Sequence, residues 1–143
     1  MGTRADFYIG RGQGAEWIGS IAWDGYPDGI AKAVLTTTTP DTFRAAVAQF
    51  IMREDGTTPE MGWPWPWNDS QTTDYAYALD AGKVWGSCFG RAWFDPLNVP
   101  AEDSVCEGEK TAVFPDMTAR KKVAFGERSG AIILTKRVAG GGE

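Results

Sequence analysis

Histidine is absent from all 143 residues. That removes the imidazole base on which Ser-His-Asp and Cys-His nucleophiles depend, and with it every histidine-bearing zinc site. Cysteine is scarce. Cys88 and Cys106 are the only two, too few for a zinc site built from thiolates alone. We expect no metal and no cofactor. A Ser or Cys nucleophile would need another activator, and no spacing sets Lys83 beside Ser87 or Cys88. No apolar run approaches the ~18 residues a membrane span requires. The N-terminus shows no basic start followed by an apolar segment, so no secretory signal is read. The expected location is cytoplasmic, where both cysteines would stay thiols, with a disulfide as the alternative.

Positive charge is also thin over most of the chain. Residues 1–109 hold 16 acidic and 7 basic side chains, whereas residues 110–143 hold 3 acidic and 7 basic. From Phe94 to Glu109 there are five carboxylates, Asp95, Glu102, Asp103, Glu107 and Glu109, and no basic residue. General affinity for DNA or RNA needs clustered Lys and Arg, so the balance argues against it and permits a basic partner. The plainer reading is a solvated acidic loop.

What is present is ordinary in bulk and unusual in detail. A hydrophobic fraction of 43% and a charged fraction of 23% are those of a globular protein, and the length suits one domain. We place that domain at residues 1–137, with 138–143 as a flexible Gly-rich tail. Seven tryptophans are many for a core this small. Large rigid aromatics are also what binding surfaces favour.

Periodicity predicts an α+β fold. Ala5 to Gly10 and Glu16 to Trp23 read as strands of a hairpin closed by Gly10-Arg11-Gly12-Gln13-Gly14. In the second strand Trp17, Gly19, Ile21 and Trp23 alternate with Ile18, Ser20 and Ala22. The loop lacks the lysine of a phosphate-binding loop, and no dinucleotide glycine fingerprint occurs. Asp24 to Gly29 is a hard turn, and Ile30 to Leu35 a short helix. The main helix begins with Thr39 as N-cap and Pro40 at its first position. Phe43, Val47, Phe50 and Ile51 form its apolar face, and Asp55-Gly56 ends it. Tyr75 to Leu79 and Lys83 to Phe89 form a second hairpin around Asp80-Ala81-Gly82. Trp93 to Lys110 reads as a loop. Lys121 to Phe125 and Ala131 to Thr135 suggest a third hairpin. The expected architecture is an antiparallel sheet of five or six strands built from hairpins, with one amphipathic helix packed on a face.

Three constellations invite chemistry. Trp63-Pro64-Trp65-Pro66-Trp67 forbids a helix and should run extended with its indoles splayed. That would leave Trp63, Trp65 or Trp67 on a recognition surface, or else staple the loop to the core. Asp24 and Asp28 share one turn and would serve as an acid/base pair if they converged, although Asp is also a common turn residue. Arg91, Arg120, Lys121, Lys122 and Arg128 suit phosphate or carboxylate, or simply guard a solvated sheet edge.

The segments Arg4-Ala5-Asp6-Phe7-Tyr8-Ile9-Gly10-Arg11-Gly12 and Ala15 to Gly29, with Phe114-Pro115-Asp116-Met117 to Gly130, resemble small uncharacterised proteins of phages, prophages and other mobile elements of proteobacteria. The resemblance implies no reaction and no catalytic residue. It implies a non-enzymatic, stoichiometric inhibitor of a host protein complex, such as an anti-CRISPR or other anti-defence factor in the host cytoplasm. The expected binding residues are then Trp63, Trp65, Trp67, Glu102, Asp103, Glu107, Glu109, Arg91 and Arg128, with no membrane partner. The alternatives are a small-ligand binder, for example a nucleotide-signal sponge, and a hydrolase or transferase using Asp24 and Asp28.

Overall fold

A computed structural model describes residues 2–100 and 102–121. Strands β1 (Ala5–Ile9), β2 (Glu16–Ile21), β3 (Tyr75–Asp80) and β4 (Lys83–Cys88) form one sheet in the order β2-β1-β3-β4. Helices α1 (Lys32–Leu35) and α2 (Pro40–Arg53) lie between the two hairpins. The fold is α+β, with one main helix on a sheet. Its sheet is mixed, because the two hairpins join through a parallel pairing of β1 with β3, Phe7 opposite Tyr77. A parallel pair needs a long crossover, and the stretch that carries α2 supplies it. The third hairpin expected from Lys121 to Thr135 falls, beyond Lys121, outside the described residues, as does the 138–143 tail.

Helix α2 starts as its sequence dictates. Thr39 Oγ1 accepts from the Thr42 amide at 3.2 Å, Thr42 reciprocates towards the Thr39 backbone, and Pro40 takes the first helical position. Phe43, Val47, Phe50 and Ile51 are buried against Phe7, Ile21, Tyr77, Leu79 and Val84. Phe7 stacks on Tyr77 at 5.8 Å and meets Phe50 edge-on at 6.2 Å. Gly19 lets the helix approach, since a Cβ there would stand 2.0 Å from Ile51 Cδ1.

The strict alternation expected in β2 is broken by a bulge. Phe7 pairs with Gly19 but Tyr8 pairs with Trp17, so Ile18 is the extra residue. Trp17 therefore leaves the face of Gly19 and Ile21, while Ile18 joins the helix-side core. The opposite face of the sheet is also covered. Asp6, Tyr8, Ala76 and Ala78 lie under Trp63, Trp65, Phe114 and Met117. The small side chains of Ala76 and Ala78 leave the volume that the indoles fill.

Candidate functional site

The Trp-Pro-Trp-Pro-Trp segment is wrapped onto the sheet rather than displayed. Trp63 and Trp65 are buried and Trp67 is half-buried. Trp63 meets Trp17 edge-on at 5.3 Å, and Trp65 stacks on Trp67 at 5.9 Å. The expectation that these three indoles splay apart is thus corrected: they converge on one face. Each indole N–H donates internally, Trp63 to the Trp67 carbonyl at 2.8 Å, Trp65 to Asp6 Oδ1 at 2.7 Å and Trp67 to Thr73 Oγ1 at 3.1 Å. The Trp63 amide donates to the Arg120 carbonyl.

Asp6 is the hub of this arrangement. It is fully buried and accepts from Ser20 Oγ at 2.6 Å and Ser70 Oγ at 2.5 Å besides Trp65. Trp17 donates to Ser20, and the Tyr8 hydroxyl meets Ser70. Burial raises the Asp6 carboxyl above the ordinary aspartate value, and the hydrogen bonds of Ser20, Ser70, Trp65 and Thr73 pull it back. The carboxylate has no exposed surface to present to a substrate. What it does is tie β1, β2 and the Trp segment together.

The cysteines are not thiols. Cys88, in β4, is disulfide-bonded to Cys106, 18 residues on, in the short 3-10 turn Glu102–Cys106. Cys88, Phe94 and Val105 make a third small core, and Phe94 also bridges Gly86 by paired 2.8 Å backbone hydrogen bonds. Trp93 to Lys110 is therefore anchored at both ends. Lys83 is engaged by Asp95 at 3.0 Å and Ser87 Oγ donates to the Arg91 carbonyl at 2.6 Å. With Cys88 in the disulfide, that trio holds no activated nucleophile.

Asp24 and Asp28 do different work. Asp24 sits at φ 60°, and its partner is Glu54, whose carboxyl is raised by burial first and by the charge and hydrogen bond of Asp24 after it. Asp28 instead borders a cleft of about 310 Å³. On one side stand Tyr26, Pro27 and Asp28 from the turn after β2, next to Tyr75 at the start of β3. On the other stand Val99, Pro100 and Val105 of the disulfide-tied loop. Tyr75 reaches Cys106 Sγ at 3.8 Å and stacks on Tyr77, whose hydroxyl donates to the Gly25 carbonyl at 2.6 Å. The turn and the loop are thus both fastened to β3. Tyr26 is 44% exposed and Leu97, in the facing loop, 45%. Glu107 and Glu109 lie exposed beyond the disulfide, and Glu102 and Asp103 fall on the turn that carries Val105.

The basic candidates are engaged elsewhere. Arg91 donates to the carbonyls of Gly108 at 3.1 Å and Phe89 at 3.3 Å, closing the disulfide loop. Lys121 Nζ caps the Pro66 carbonyl and Asn68 Oδ1, each at 2.7 Å. Arg120 lies 6.0 Å from the Trp17 ring. Lys122 and Arg128 lie outside the described residues. The Gly10-to-Gly14 loop closes its hairpin, with Gly10 at φ 93° and Gly12 at φ 107°; Arg11 pairs with Asp80 at 3.0 Å and lies over the Trp85 ring at 4.4 Å.

The cleft residues Tyr26, Tyr75, Val99, Pro100 and Val105 escape sequence reasoning, because the two halves meet through long-range ties, among them the Cys88–Cys106 bond and the Tyr77 hydroxyl on the Gly25 carbonyl. The one signal present is the pairing of a Tyr-Pro turn with a Pro-rich loop. Compared with protein-family models, with curated proteins and with solved structures, the chain matches none. No helix among the described residues is long and apolar enough to cross a membrane.

Proposed function

We propose that this chain is a non-enzymatic recognition domain that binds a partner protein through the cleft between the Asp24-to-Gly29 turn and the disulfide-tied loop. One observation carries the reading: a fixed cleft with a lining that is polar and apolar in near-equal parts, flanked by exposed Tyr26 and Leu97, beside a segment rich in carboxylates. Exposed aromatic and apolar groups around a concavity are what anchor an interface, and a surrounding field of one sign steers the complementary partner.

The resemblance of the N-terminal segments to mobile-element proteins supports a narrower form, a stoichiometric inhibitor of a host complex such as a CRISPR or other antiphage assembly. The disulfide bears on where such an inhibitor works. Intrachain disulfides persist in oxidising compartments, and the cytoplasm of most mesophiles keeps thiols reduced. An inhibitor acting in the host cytoplasm would work without the Cys88–Cys106 tie, and so with one wall of the cleft released.

The test is capture from host lysate with wild-type protein and with the double variant Tyr26→Ala/Asp28→Asn, in the presence and absence of a thiol reductant. The reading expects a partner held in fixed stoichiometry by the oxidised wild type and lost from the variant at unchanged melting temperature. A partner retained by the variant would place binding on another surface, and none captured while nucleotides raise the melting temperature would transfer the function to small-ligand binding.

A further inference from the structure

We propose that the cleft takes an arginine side chain from its partner. This rests on the recognition reading above and names the chemistry of the occupant. At about 310 Å³ the cavity lies at the low end for ligand pockets and has room for one long side chain. The lining offers two phenol rings, Tyr26 and Tyr75, and carries a single formal charge, that of Asp28. None of the ion pairs among the described residues engages Asp28, whereas Asp74, Asp80, Asp95 and Glu16 each hold a Lys or Arg. The two guanidinium groups nearest in sequence are committed elsewhere, Arg44 to Glu16 and Arg11 to Asp80, each at 3.0 Å.

A carboxylate at the mouth of an aromatic and aliphatic slot complements a cation on a flexible apolar stem. Arginine fits this better than lysine for two reasons. Its planar guanidinium stacks on tyrosine rings and forks onto a carboxylate, and it loses less hydration on entering an apolar slot. Val99, Pro100 and Val105 would cover its methylenes. The long-range charge agrees: the first 109 residues carry 16 carboxylates against 7 cations, which raises the local concentration of a basic segment.

The probe is the blocked tripeptide acetyl-Gly-Arg-Gly-amide, titrated into the oxidised protein and followed by amide chemical shifts. Its controls are the citrulline tripeptide, which keeps shape and loses charge, and the lysine tripeptide. Saturable shifts at Tyr26, Asp28, Tyr75 and Val105 are expected, with the citrulline and lysine peptides each at least tenfold weaker. Asp28→Asn should weaken the arginine peptide at least tenfold without moving the melting temperature. Equal binding of the citrulline peptide would make the slot apolar in preference and overturn the proposal; equal binding of the lysine peptide would overturn the assignment to arginine. Shifts that never saturate and spread over the acidic surface, or none at the cleft, would also sink it. If the wild type still captures a partner through Tyr26 and Asp28 while refusing the arginine peptide, the recognition reading stands and this inference alone fails.

Discussion

At Asp6 an ionisable group is kept where charges are expensive. The carboxyl is out of water, and its hydrogen bonds from Ser20, Ser70 and Trp65 only partly offset the loss of hydration. Because its folded value is raised, the folded state holds the proton at a pH where the unfolded chain has released it. The Asp6 contribution to stability is therefore present in full below the unfolded value, roughly pH 4, and declines as pH rises through the raised folded value. Asp6→Asn should flatten that decline in a series of denaturant melts, since an amide still accepts from Trp65 and Ser20. Asp6→Ala should cost about 3 kcal/mol or more, because it strands several buried donors at once. An Asp6→Asn protein with the same pH slope as the wild type would show that another group sets it. The same logic applies to the tryptophans. Trp63→Ala should cost about 3–5 kcal/mol, the penalty of emptying a buried aromatic site, measured by chemical denaturation. Sequence showed the indoles as unusual but not their direction, because the volume they occupy is made by Ala76 and Ala78 of β3 and the acceptor of Trp65 is Asp6, 59 residues away.

Among the elements, those whose order is local were legible. Helix α2 carries its Thr39 cap, its Pro40 start and its apolar face in one unbroken stretch of sequence ending at Arg53, and both hairpins announce their turns. What was not legible depends on partners far along the chain. The parallel contact of β1 with β3 is invisible because Phe7 and Tyr77 alternate equally well with any neighbour. The bulge at Ile18 leaves no local mark, since Trp17 and Ile18 are both apolar and either face accepts either one. The cleft depends on a cysteine pairing that composition alone assigned to thiols. That pairing has a testable weight. Closing a loop of 18 residues should contribute about 3 kcal/mol through the unfolded state. Cys88→Ser/Cys106→Ser should lose about that much, with hydrogen exchange rising first at Val99 and Val105. Unchanged exchange in that loop would mean that the Gly86–Phe94 bridge and the Arg91 contacts hold the wall by themselves.

Over the molecule as a whole, the sheet is covered on both faces, by α2 on one and by the Trp segment on the other. The recognition proposed above falls to the edge where the Asp24-to-Gly29 turn meets the disulfide loop. Charge should act there mainly on encounter. Replacing Glu102, Asp103, Glu107 and Glu109 by neutral polar residues should slow association with a captured partner and weaken its salt dependence, while the dissociation rate stays near wild type. An unchanged association rate would return these carboxylates to a solvated loop. The most direct measurement is hydrogen–deuterium exchange of the oxidised protein alone and in complex with its captured partner. The account predicts new protection over residues 25–30 and 97–106, with none added over 63–67. Protection gained at Trp63 to Trp67 with the cleft unchanged would contradict it and place recognition on the Trp segment.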